Sequence, residues 1–331
     1  MRQYFKNAVI AGTAAAVTLF SGVSAANDTI RVGMPEVMFL NLTQFVAQEK
    51  GFYENEGLTV DLQHIADSSI PVRAMIAGRL DIVQTGMPET LSAIDKGAEL
   101  ITIGGVHTGL HYSFFVNPDA DIESIEDLQG KRLGISGPGT LPHVVMVAMM
   151  QAAGMTAEQI DDVTWVSLSG SSSRRNGIAT GVIDATVAGF NPRAIADPNI
   201  DVKFDVPGTL PNYVMTPWDV RVSFLEENPD VVKRFIRAEL LATRWVFENR
   251  DEALEVARNY FDYDDDELIA FYDFYKNGIW NPNGRVTPEQ AQYMQELNLD
   301  GGMQDAVHPA ERVLDTSILE EVLAEIGEYE H

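Results

Sequence analysis

"TIRVGMPEVMFLNLTQFVAQEKGFYENEGLTVDLQHI", Thr29 to Ile65, holds one complete unit of the fold. Thr29–Met34 reads as a buried strand. Asn41–Gly57 carries helix-spaced apolar residues and closes on glycine, and Leu58–Ile65 alternates as a second strand. Working outward, Ser69–Leu80 reads as a helix with Pro71 in its first turn. Asp81–Gly86 is a short buried strand and Pro88–Gly97 a helix ending in glycine. Apolar strands alternating with helices imply an α/β chain whose parallel sheet is covered on both faces.

The alternation then restarts. "SIEDLQGKRLGIS" runs into "GPGT" and an apolar helix; "VTWVSLS" and "IDATVAG" are strands flanking the helix "SSRRNGIATGV". From Pro229 onward helical patterns dominate, with Val232, Phe235, Ile236 and Leu240 forming one apolar stripe. "AGRLDI" and "TGVIDA" are two copies of one device: a glycine helix cap, a short link and an aspartate entering a buried strand. The two halves therefore share a local plan.

The N-terminus has the form of a secretory signal peptide. Arg2 and Lys6 precede an almost uncharged run, and "SGVSAAND" offers small residues for cleavage after Ala25, with Ala26 as the near alternative. The apolar run is shorter than a membrane span requires. The chain contains no cysteine, which removes disulfides, thiolate metal sites, a cysteine nucleophile and a lipoprotein anchor. The expectation is a protein free in the periplasm. About 305 residues then remain, more than one core normally serves, so two lobes are expected.

The formal net charge is -26, and removing Arg2 and Lys6 with the leader takes it to -28. Nucleic acid, which needs a basic face, is disfavoured as a partner. An acidic chain with 16 arginines and only 7 lysines points to a halophilic or marine source, with plain solubility as the alternative. "DYDDDE", Asp262–Glu267, lacks the spacing of a calcium loop and reads as a solvated helix start.

"AQEKGFYENEGLTVDLQHI", "AMIAGRLDIVQTG", "AIDKGAELITI", "IESIEDLQGKRLGISGPGT", "GIATGVIDATVAGF" and "FLEENPDVVKRFIRAELLATRWVFENRDEAL" occur in that order. Together they resemble the nitrate/sulfonate/taurine/thiamine-precursor group of ABC-importer solute-binding proteins, over nearly the whole chain beyond the leader. The resemblance implies a two-lobe periplasmic-binding-protein fold of type II, with two crossing strands as hinge and a ligand cleft between the lobes. By that analogy lobe one is 27–114 plus 216–331 and lobe two is 115–215. It further implies a monomeric solute receptor that hands its ligand to an ABC permease in the inner membrane. The resemblance also extends to pyrimidine-forming enzymes of thiamine synthesis, which carry a cysteine-rich motif that this chain lacks. A sensor-associated receptor is the third reading.

In open α/β sheets ligands collect outside the carboxyl ends of strands. Those ends nominate Glu36, Phe39, Asp67, Ser68, Ser69, Thr85 and Gly86 in the first half. In the second they nominate Ser136, Gly137, Gly139, Thr140, His143, Ser171, Ser172, Phe190 and Asn191, with Tyr213 as a further apolar wall. "GISGPGT" is neither an NTPase phosphate loop nor a dinucleotide fingerprint, because the Gly-Lys-Ser/Thr and the third glycine are missing. It reads as a helix N-terminus, capped by Thr140, that receives a polar or anionic group, or else as a tight connection. Arg174 and Arg175 begin the next helix, and either could reach the cleft as an oxyanion partner. His107 and His111 are four apart, but neighbouring glycines break any helix that would aim both at a metal. No catalytic residue, metal or cofactor is expected. Glycine and hydroxyl donors favour a carboxylate or sulfonate; the aromatic candidates allow a pyrimidine or flavin. Glu36 and Glu89, if they face the cleft, favour a ligand with an amine.

Overall fold

The computed structural model describes residues 27–34, 37–65 and 69–330. The leader expected at 1–25 lies outside them. Among the described residues ten strands form two five-stranded sheets. β1 (Asp28–Met34), β2 (Leu58–His64), β3 (Ile82–Gln84), β4 (Leu100–Thr102) and β10 (Trp218–Arg221) make the first, in the order β2-β1-β3-β10-β4. β5 (Tyr112–Val116), β6 (Arg132–Ile135), β7 (Thr164–Ser167), β8 (Ala185–Gly189) and β9 (Asp201–Lys203) make the second, in the order β7-β6-β8-β5-β9.

Neither sheet is wholly parallel, which corrects the expectation from strand–helix alternation. β1 pairs in parallel with β2 and β3, and β6 with β7 and β8. β10, however, lies antiparallel between β3 and β4, and β5 lies antiparallel between β8 and β9. Both reversed strands are the ones by which the chain enters one sheet from the other, so they arrive from the opposite end. β5, which holds the boundary expected at Phe114, pairs with β8 of the second sheet along its whole length.

The repeated glycine–aspartate device has a shared purpose. Asp81 accepts from the Arg31 backbone N–H at 2.9 Å and from its guanidinium at 2.9 and 2.6 Å. Asp184 does the same to Arg132, at 2.8, 3.1 and 2.5 Å. In each sheet an aspartate just ahead of β3 or β8 thus clamps the arginine of the parallel neighbour, β1 or β6, and helps to set their register.

Two segments cross between the sheets as antiparallel neighbours. Trp218 N–H donates to Gly104 O at 2.7 Å, Thr216 N–H to His107 O and Met215 N–H to Thr108 O, both at 3.1 Å. The C-terminal helices pack on the first sheet. The stripe Val232, Phe235, Ile236 and Leu240 of the helix Pro229–Glu248 is fully buried, in one core with Ile30 and Val32 of β1. Asp264 caps the helix Asp265–Lys276 by accepting from Glu267 N–H, so the acidic run is a helix start. That helix also touches the second lobe: Phe190, just after β8, stacks on Phe274 with centroids 4.0 Å apart, and Arg193 pairs with Glu267 at 2.5 Å.

Candidate functional site

Because the parallel strands of each sheet end on one side, their following helices begin there, and the two sets of helix starts enclose a cleft of about 570 Å³. From the first lobe come Thr85, Gly86 and Glu89, the last in the first turn of the helix Met87–Asp95. From the second come Ser136, Gly139, Thr140, Ser171 and Arg174. The crossing segments supply His111, Tyr112, Met215 and Thr216. Val72, Ile76, Leu141 and Met303 make an apolar mouth edged by Arg73 and Lys96.

Arg174 dominates the polar wall. It is 1% exposed; its guanidinium donates to Ser136 Oγ at 2.7 Å, to Ser171 Oγ at 3.3 Å and to Val187 O at 3.2 Å. These bonds hold a planar cation rigidly at the cleft surface, a geometry suited to two oxygens of one acid group. Arg175 turns to a smaller adjoining cavity of about 80 Å³, where it donates to Gly189 O at 3.1 Å and Ser172 Oγ at 3.3 Å. Phe39, Ser172, Phe190 and Asn191 line that side cavity, and Ser171 and Met38 border both spaces.

The loop Ser136–Thr140 reaches the cleft, but its groups are used differently from expectation. Thr140 stands at the N-cap of the helix Leu141–Ala152, yet its hydroxyl caps nothing: it donates to Gly137 O at 2.7 Å, the oxygen that also receives Thr140 N–H. Gly139 N–H donates to His143 Nδ1 at 3.0 Å, so that N–H is taken before a ligand arrives. His143 is a strut, set edge-on to Trp165 at 4.6 Å, and burial pushes its pKa down.

Among the nominated residues, Thr85, Gly86, Ser136, Gly139, Thr140 and Ser171 come together around the large cleft. Gly137 and His143 border neither cavity, and Tyr213 is buried in the core. Phe39 is buried as well, stacked on Phe271 at 5.1 Å, with only its edge on the side cavity. Ser69 opens the helix Ser69–Ile76, whose Val72 and Ile76 reach the mouth. Glu36, Asp67 and Ser68 lie outside the described residues.

Among the described residues no cluster of His, Asp or Glu side chains is arranged to hold a metal ion. His107 sits in a buried chain of hydrogen bonds: Gln84 Nε2 at 2.7 Å from Nδ1, Thr43 Oγ1 at 2.8 Å from Nε2, then Gln44 and Asn41, which holds Met38 N–H. This ties the crossing segment to the loop after β1. His111 is 1% exposed on the cleft wall, neither ring nitrogen has a hydrogen-bond partner among the described residues, and burial pushes its pKa down to about 3.

Known proteins share this fold. A Haemophilus influenzae protein named for thiamine biosynthesis is 28% identical over 147 residues, 44% of each chain, so the match spans less than half of that relative. The formylaminopyrimidine-binding protein of Halalkalibacterium halodurans is 26% identical over 262 residues, 76% of this chain and 78% of its own. The alkanesulfonate-binding protein of Xanthomonas axonopodis pv. citri, solved with MOPS bound, superposes with a TM-score of 0.73 at 14% identity, covering 88% of this chain and 99% of the other. The two-lobe fold is thus that of periplasmic solute-binding proteins. The NMT1/THI5-like family model matches residues 41–253, from the first helix through the whole second lobe into the C-terminal helices. With well over half of its length so matched, this chain belongs to the NMT1/THI5-like family.

Proposed function

We propose that the chain is the solute receptor of an ABC importer, a periplasmic monomer that closes two lobes on a small organic oxyanion and delivers it to an inner-membrane permease. The observation that carries this reading is the buried Arg174 guanidinium, braced by Ser136 and Ser171 on the wall of an inter-lobe cleft. The lobes hinge on the crossing segments before β5 and before β10. Binding energy, greater in the closed arrangement, shifts the population toward it, and no bond is broken. Glu89 on the opposite wall offers an acceptor to a ligand N–H. A carboxylate or sulfonate beside a hydrogen-bonding group therefore fits both walls. The acidic surface suits a salt-rich medium. Two of the relatives are named for the solutes they bind, and that supports capture without catalysis.

Protein purified from the periplasm, its intact mass reporting removal of residues 1–25, is screened by thermal shift with sulfonates, carboxylates, pyrimidines and flavins. Calorimetry with the best solute then compares Arg174→Gln, expected to bind at least tenfold more weakly. Equal affinity in a folded variant would remove Arg174 from the site.

A further inference from the structure

We propose that His111 is a ligand-contacting residue that reads an uncharged ring N–H or C=O of the solute, beside the oxyanion held by Arg174. The solute is then a planar cyclic-amide or azole monoanion and not a compact tetrahedral oxyanion. This rests on the receptor reading above and narrows it.

A neutral imidazole has one donor and one acceptor, and buried polar atoms in native proteins almost always find partners. Both nitrogens of His111 lack one among the described residues, although the side chain is 1% exposed and borders the cleft. Two tyrosines pack against the ring, and its backbone is held in place. Tyr112 meets it edge-on at 5.3 Å, Tyr275 lies 5.8 Å away, and the His111 carbonyl is fixed by Phe190 N–H at 3.0 Å. With its pKa lowered by burial the ring stays uncharged at neutral pH, so it complements a neutral heteroatom pair and not a second acid group.

His111 and Arg174 both line the large cleft, with Ser171 beside them. Ser171 Oγ is 3.3 Å from both Arg174 Nη2 and Gly189 N. A Cβ on Gly189 would lie 3.5 Å from His111 Nε2 and 3.8 Å from Ser171 Oγ. A single ring with an acid substituent therefore spans the guanidinium and the imidazole. Gly170 lines the cleft without a side chain and leaves that part of the wall low, which suits a flat molecule.

Orotate and benzoate test this: both are planar carboxylates, and only orotate carries ring N–H and C=O groups. By calorimetry the wild type should bind orotate at least tenfold more tightly than benzoate. His111→Phe should abolish most of that preference while leaving benzoate unchanged, and His111→Gln should restore part of it. Gly189→Ala, whose methyl fits in ordinary contact, should weaken orotate more than benzoate. Equal affinities in the wild type, binding of neither probe, or a preference surviving in His111→Phe would each overturn the proposal. Arg174→Gln separates it from the parent reading. If that variant keeps both affinities while the preference still depends on His111, the oxyanion reading fails and this one stands. If it loses both while His111→Phe is silent, only this one fails.

Discussion

Glu239 is a carboxyl in the middle of the helix Pro229–Glu248 with no exposure to solvent. Tyr53 donates its hydroxyl to one carboxyl oxygen, and the other has no partner among the described residues. Burial pushes the Glu239 pKa up to about 8 from an ordinary value of 4.5, an effect that the Tyr53 hydrogen bond only partly offsets. The folded state therefore favours the protonated acid. Its contribution to stability is fully present below pH 4.5 and is lost as pH rises toward 8, because the unfolded chain ionises first. Each unit inside that window costs up to about 1.4 kcal/mol. Glu239→Gln keeps an acceptor for Tyr53 and has no proton to lose. Its stability relative to wild type should grow by about 1–3 kcal/mol from pH 6 to pH 8. The comparison cancels Asp219, His107 and His111, which titrate in both proteins. Denaturant melts at stepped pH decide it, and a difference that stays constant with pH would refute the buried-acid account.

At the scale of elements, the loop Ser136–Thr140 and its helix carry a sharper contrast than their sequence shows. Gly139 has φ +71°, and a Cβ there would lie 2.0 Å from Met303 Sδ. Gly137 has no such conformation, and a Cβ would find only Thr140 Cγ2 at 3.8 Å. Gly139→Ala should therefore lose about 1–2 kcal/mol from the left-handed backbone. It should also weaken ligand binding, since Met303 must shift at the cleft mouth. Gly137→Ala should be near neutral in both. Melting and calorimetry on the pair test this; equal effects would mean that the loop tolerates either position. The two glycines look alike in "GPG" because the difference lies in a methionine that arrives from far along the chain. The same limit governs the rest of the fold. Strand–helix alternation, glycine helix ends and the aspartates of "AGRLDI" and "TGVIDA" are local signals, and they identified both lobes. The insertion of β10 between β3 and β4 is a long-range pairing with no local mark. In the cleft, strand-end loops pointed to Ser136, Thr140 and Ser171, but His111 stands in a glycine-flanked segment without periodicity. Only the packing of Tyr112, Tyr275 and Gly189 around it reveals its isolation.

For the whole molecule the governing quantity is charge. The chain has 49 acidic and 23 basic side chains, so pairing every cation would still leave 26 negative charges uncompensated. The folded state gathers these onto one surface, whereas the unfolded chain spreads them apart, so repulsion opposes folding. Salt acts on two opposing sets of contacts. It screens attractive pairs such as Arg285 with Glu320 and Glu328, Lys233 with Glu321 and Glu325, and the cross-lobe pair Arg193–Glu267. Exposed pairs of this kind contribute only about 0–1 kcal/mol each. It also screens the repulsion among the surplus carboxylates, which acts between many pairs at once. The second effect should win, and the melting temperature should rise with NaCl. The Debye length falls from about 30 Å at 0.01 M to about 10 Å at 0.1 M and about 3 Å at 1 M. Most of the rise should therefore come below a few tenths molar, with a shallower slope beyond. Choline chloride at equal ionic strength should reproduce the early part if screening is the cause. A curve that is flat or falls across that range would mean that the surface ion pairs outweigh the surplus charge.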